Sequence, residues 1–302
     1  MRIGVVAPSG ATLEESEVSR GRQTLERMGF EVELAPHALD RYGHLSGLDR
    51  DRADDLLGML ERSDIAAVMC LRGGAGAMRT ALALDPVRLE RLRGDRPKVF
   101  IGYSDITVLH QVVARTLGWV TFYGPMLASL ARPSQYTLGA FERAVTGLEG
   151  FDVAPDPDDP YVETITPGIA EGELVGGCLT LLAGLAGTPW QPELSGRVLF
   201  FEDVDEEPYA IERYLGQLVA AGALRRCAGI VVGEHANCEP KRPGPTLGLE
   251  QVLRDMLKPL GIPVIYHLPI GHGRHLATLP MGVAARLDAD AGILTVLDSG
   301  VI

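Results

Sequence analysis

The run from Ile65 to Leu71 carries no polar side chain, and an amphipathic helical pattern comes just before it. A seven-residue apolar run is of strand length, and a strand that is apolar on both faces has to be covered on both. The rest of the first half repeats the arrangement. Ile3–Ala7, Glu31–Leu34 and Val99–Gly102 read as further short strands. Thr12-x-x-Glu15 reads as a capping box opening a helix to about Met28, with Gly29 as its C-cap. Asp49–Arg62 places Ala53, Leu56, Leu57 and Leu60 on one face, and Ile106–Leu117 forms another helix. Helices inserted between short apolar strands imply a parallel sheet with right-handed crossovers. With aromatics at only 6% and glycine plentiful, an α/β protein is expected rather than an all-β one.

The segment FDVAPDPDDP, Phe151 to Pro160, holds three prolines and four aspartates and is not expected to pack as a regular element. It divides the chain into a domain at 1–150, a linker at 151–170 and a second domain at 171–302. The second domain restarts with GELVGG and a helix from about Leu179. A strand at Val198–Phe201, a helix at Tyr209–Ala221, a strand at Gly229–Val232 and a helix from about Leu249 follow, and short strands end the chain.

A formal net charge of −12 argues against a nucleic-acid partner, which requires a basic surface. The four cysteines, Cys70, Cys178, Cys227 and Cys238, have neither zinc nor CxxC spacing and read as reduced core thiols. The N-terminus lacks a signal-peptide layout and no apolar run is long enough to span a membrane, so a cytoplasmic protein is expected.

Open parallel sheets bind ligands beyond the carboxyl ends of their strands, which directs attention to three segments. In FIGYSDIT, Ser104 falls at a tight strand-to-helix turn. This partly matches the G-x-S-x-G elbow, with Ile106 in place of the second glycine. Ser104 or Asp105 serving only as a helix cap is the alternative on this segment. In LRGGAG, Gly73 and Gly74 could aim N–H groups at an oxyanion, and Arg72 could bind a carboxylate; a phosphate-binding turn or a simple tight turn reads equally well. In the second half, Glu202 ends a strand, and His272 stands between two glycines in LPIGHGRH. A salt-bridge or cap acid and a solvated loop histidine are the plainer readings. A serine hydroxyl needs a base, and the base needs an acid to hold its tautomer; Ser104, His272 and Glu202 supply the three roles.

Taken together, LRGGAG, FIGYSDIT, GGCLTLLAGLAGTPW, LFFEDVDEEPYAIER and LPIGHGRHLATLPMG resemble the LD-carboxypeptidase family, in family order and over most of the chain. The family includes muramoyl-tetrapeptide carboxypeptidases and microcin-immunity peptidases. The resemblance implies a flavodoxin-like N-terminal domain and a smaller β-rich α/β C-terminal domain, with the active site between them. It implies Ser104 as nucleophile, His272 as general base and acid, Glu202 as orienting acid, and the N–H groups of Asp105 and the Gly73-Gly74 turn as oxyanion donors. No metal or organic cofactor is implied, and a homodimer is. The expected activity is hydrolysis of the L,D-bond before the terminal D-Ala of a murein tetrapeptide. The alternatives are cleavage of an aminoacyl-nucleotide antibiotic, for which the stretch after Pro125 offers one aromatic, Tyr136, and a non-catalytic small-molecule-binding protein. Two departures concern specificity: Ala75 stands where many relatives carry an aromatic, and Cys178 where Asn is expected.

Overall fold

The computed structural model describes residues 1–12, 14–241 and 244–301. The chain divides into two compact units, Met1–Phe141 and Glu142–Ile302.

The first unit alternates strand and helix. Its strands are β1 (Arg2–Val6), β2 (Glu31–Leu34), β3 (Ala67–Cys70), β4 (Val99–Gly102) and β5 (Thr121–Tyr123). They pair in parallel in the order β2-β1-β3-β4-β5, the flavodoxin-like order. The helices are α1 (Glu15–Arg27), α2 (Asp49–Glu61), α3 (Ala77–Ala83), α4 (Pro86–Arg91), α5 (Thr107–Leu117) and α6 (Gln135–Thr146), the last containing the boundary between units. β3 is fully buried, as its unbroken apolar sequence requires, and Ala53, Leu56, Leu57 and Leu60 of α2 are all in the core. Gly29 adopts φ 89° just beyond α1, where a left-handed residue closes the helix. The Thr12 capping box does not form: α1 begins at Glu15, and Thr12 Oγ1 contacts the Glu14 carbonyl instead. The short elements α3, α4 and β5 were not anticipated, because each is too brief to show a period.

The second unit holds β6 (Phe151–Asp152), β7 (Glu163–Thr166), β8 (Ile169–Cys178), β9 (Val198–Val204), β10 (Gly229–Ala236) and β11 (Val264–Leu268). The short β12 (Leu279–Met281), β13 (Ala284–Asp288) and β14 (Ile293–Val296) complete it. Its eight-stranded sheet runs β6-β14-β13-β8-β9-β10-β11-β7, parallel in the middle and antiparallel toward both edges. Helices α7 (Leu179–Gly184), α8 (Pro208–Ala220) and α9 (Leu249–Leu257) cover it through a core that includes Leu182, Phe201, Ile211, Leu215, Val232 and Leu253.

The 151–170 stretch, expected as a linker, belongs to this sheet. Phe151 and Asp152 pair with β14, Glu163–Thr166 pair with β11, and Val153 is buried. The prolines leave two-residue and four-residue edge strands between irregular turns, which is where a sheet tolerates them. The whole of this stretch lies in the second unit, Glu142–Ile302.

Candidate active site

Ser104 begins a 3₁₀ turn between β4 and α5 with φ 65°, a left-handed backbone that a serine rarely adopts. The turn is tight because Gly102 lies under Ile106: a Cβ on Gly102 would approach Ile106 Cγ2 to 2.8 Å. This explains the incomplete elbow motif, since the fully buried Ile106 packs where the second glycine would otherwise be. The N–H of Ser104 donates to the Tyr123 hydroxyl at 3.0 Å. Tyr123 was not singled out from the sequence; it ends β5 and is completely buried.

The LRGGAG loop packs directly on this turn. A Cβ on Gly73 would stand 3.0 Å from Ser104 Cβ and 3.2 Å from its Oγ, so only glycine lets the two backbones come so close. Gly74 takes φ 119°, and the Gly73 carbonyl accepts from the Gly10 N–H at 3.2 Å. Asp105 locks the arrangement. Its buried carboxylate accepts from Ser9 Oγ at 2.5 Å and from the Ala77 N–H at 2.8 Å, capping α3. Burial raises the Asp105 pKa, and these hydrogen bonds, with one from the Gly76 N–H, oppose the rise. Asp105 thus caps a different helix from the one it precedes, and neither N-cap position there, Tyr103 or Ile106, makes a side-chain cap bond. Arg72 donates to the Ala11 carbonyl at 3.0 Å and stays with this group of residues.

In the second unit Glu202 and His272 meet, although 70 residues separate them: His272 Nδ1 lies 2.6 Å from Glu202 Oε2. Glu202 sits inside β9 rather than beyond its end, because β10 continues to pair with Asp203 and Val204 after a bulge at Gly233-Glu234. The bulge makes room for the histidine loop. A Cβ on Gly233 would strike the Ile270 carbonyl oxygen at 2.4 Å, and the Glu234 N–H donates to that same oxygen at 2.9 Å.

The glycines around His272 have a definite steric cause. A Cβ on Gly271 would stand 2.3 Å from Glu202 Oε2, and one on Gly273 would coincide with the Glu234 carboxylate. They leave His272 closely flanked by carboxylates, with its side chain only 16% exposed, and not solvated in an open loop. Burial disfavours the imidazolium, but the hydrogen bond and charge of Glu202, with Asp203 and Asp205 beyond, outweigh it and raise the His272 pKa above 6.5.

Cys178 ends β8 opposite Glu202, and its thiol contacts Asp203 Oδ1 at 3.4 Å. Burial and the two acids push that thiol well above its usual pKa, so it stays protonated. All four cysteines are buried thiols outside any disulfide. Two groups, His37-Asp40-Asp51 and Asp156-Asp158-His275, bring possible metal-ligand atoms within 4.8 Å of one another. In the second, Asp158 is already paired with Arg274 at 2.6 Å and His275 at 3.0 Å. Neither group includes an expected catalytic residue. Among the described residues no helix is long and apolar enough to cross a membrane.

These features can be set beside known proteins. The profile of the LD-carboxypeptidase N-terminal domain matches residues 3–124, and that of its C-terminal domain matches residues 171–287. A Streptomyces coelicolor protein whose name places it among the carboxypeptidases is 41% identical over 97% of this chain and 92% of its own. A murein tetrapeptide carboxypeptidase of Pseudomonas aeruginosa is 31% identical over 96% of this chain and 94% of its own. The crystal structure of a muramoyltetrapeptide carboxypeptidase from Oxalobacter formigenes superimposes with a TM-score of 0.82 at 32% identity, covering 98% of this chain and 97% of that one.

Proposed function

The chain belongs to the LD-carboxypeptidase family, and from that premise we propose that it hydrolyses the L,D-peptide bond before the terminal D-Ala of murein tetrapeptides, with Ser104, His272 and Glu202 as its catalytic triad. The observation that carries the reading is the buried Glu202 carboxylate on Nδ1 of His272. It fixes the tautomer that carries the proton on Nδ1 and leaves Nε2 as a base.

In this mechanism Ser104 Oγ attacks the scissile carbonyl carbon while His272 Nε2 takes the hydroxyl proton. The carbonyl electron pair becomes an oxyanion, held by the N–H groups of Asp105 and the Gly73-Gly74 turn; each such donor contributes roughly 3 kcal/mol. The C–N bond breaks as His272 returns the proton to the leaving amine, and D-Ala departs. Water, deprotonated by His272, then attacks the acyl-serine ester; the ester C–O bond breaks as His272 returns that proton to Ser104 Oγ, and the tripeptide is released. Glu202 orients the ring through Nδ1 and stabilises the imidazolium. No step calls for a metal or an organic cofactor. A role in peptidoglycan recycling, a cytoplasmic location and a homodimeric assembly are parts of the same proposal.

The test is direct. Purified protein incubated with murein tetrapeptide is expected to release D-Ala, and the Ser104→Ala chain is expected to release none. No release by the wild type, or continued release by Ser104→Ala, contradicts the reading. Parallel turnover of an aminoacyl-sulfamoyl adenylate separates the murein activity from an antibiotic-cleaving one.

A further inference from the structure

Beyond the triad, three loops of the first unit meet around a cavity of about 470 Å³ lined by Gly10, Ala11, Arg41, His44, Arg72 and Gly74 among others. The loops are tied together through their backbones. The Ala11 N–H donates to the His44 carbonyl at 2.9 Å, the Ser46 N–H to the Ser9 carbonyl at 3.1 Å, and the Gly10 N–H to Gly73 at 3.2 Å. Arg72 closes the ring by its bond to the Ala11 carbonyl.

The charge of this cavity runs against that of the protein. The chain has 40 acidic and 28 basic residues, yet among the described residues two arginines and a histidine line the cavity and no carboxylate does. Asp40, next to Arg41 in sequence, is held by His37 Nδ1 at 2.8 Å. Among the described residues neither Arg41 nor Arg72 forms an ion pair with a carboxylate. Two arginines lining one cavity without carboxylate partners make a receptor for an anion, and a planar carboxylate fits the guanidinium fork.

The position selects the carboxylate. Gly74, in the cavity wall, directly follows Gly73, whose α-carbon lies against Ser104. A single-residue leaving group puts its carboxylate about one residue length, some 3.8 Å, beyond the scissile bond. Carboxylates further up a stem peptide do not lie so close to the attacked carbon.

We infer that the Arg41–Arg72–His44 cavity receives the C-terminal carboxylate of the substrate and restricts the enzyme to removing one terminal residue. The inference rests on the peptidase reading above and assigns that site its leaving-group pocket. Arg41, which is exposed and bonded only weakly to the Gly43 carbonyl at 3.5 Å, can be changed without disturbing the loop ring that Arg72 helps to close.

Calorimetry on the full-length Ser104→Ala chain tests it, using murein tetrapeptide with a free C-terminal carboxylate and the same peptide as its C-terminal amide. The free acid is expected to bind about tenfold or more tightly than the amide. Arg41→Gln and Arg72→Gln are each expected to remove most of that preference, and Arg41→Gln, which leaves the loop ring intact, is expected to leave amide binding unchanged. Equal binding of acid and amide, no binding of the acid, or a preference that survives both substitutions overturns the inference. D-Ala release by the wild-type enzyme is scored separately, so failure of the peptidase reading and failure of the pocket give different results.

Discussion

Glu202 holds Nδ1 of His272 at 2.6 Å while its own side chain has no exposed surface. A carboxylate buried this way can orient the ring and stabilise its charged form, and an amide cannot do both. Glu202→Gln is therefore expected to lower kcat for D-Ala release by about 10⁴, as loss of the tautomer-fixing acid does in other serine triads. KM is expected to change little, because Glu202 does not reach substrate. Steady-state kinetics decide it, and a drop confined to KM contradicts the assignment.

The same contact sets a pH dependence. Burial pulls the His272 pKa down, the Glu202 hydrogen bond and charge pull it up, and the net direction is upward from 6.5. A base must be neutral to act, so the acid limb of kcat/KM is expected to have its midpoint above 6.5. The stability sign is also fixed. A raised histidine pKa gives a contribution that is complete below the unfolded value and lost as pH rises through the folded one. A pH–rate profile with its acid midpoint below 6.5 would show that another group controls the reaction.

Ser104 stores backbone strain. Its φ of 65° suits glycine far better than a residue with a Cβ. Ser104→Gly and Ser104→Ala are both expected to be inactive, but the glycine variant is expected to be the more stable by about 0.5–1 kcal/mol. Thermal denaturation of the two variants measures this, and a more stable alanine variant would mean that the turn is not strained.

How far the sequence could reveal this arrangement differed between its parts. The parallel sheet of the first unit was legible in its first four strands because Ile65–Leu71 and its neighbours have an unambiguous apolar pattern, and β1 to β4 fall within or beside the expected ones. The joining of 151–170 to the second sheet was not, since edge strands of two and four residues are made by pairing partners far away in the chain and not by local pattern. Gly102, Gly271 and Gly273 stood out as residues, but their steric purpose depends on Ile106, Glu202 and Glu234, and only the fold brings those close. Tyr123 and Ser9 carried no signal at all, because an ordinary tyrosine or serine declares its hydrogen bond only in three dimensions.

Glu234 gives the last prediction. It lies against the Gly273 backbone, and its pKa is pushed up to about 7, first by burial, then by the charge and hydrogen bond of Asp156 and the charge of Glu202. A carboxyl group raised this way binds more protons in the folded state than in the unfolded one. Its contribution is therefore complete below its unfolded pKa, near 4.5, and is lost as pH rises through about 7. Glu234→Gln keeps the shape and removes the ionisation, so it is expected to stabilise the protein at pH 8 and have little effect at pH 4.5. Discounted for its partly solvated position, the gain is roughly 1–2 kcal/mol. Chemical denaturation at the two pH values measures it, and the same difference between variant and wild type at both would show that Glu234 does not titrate in this range.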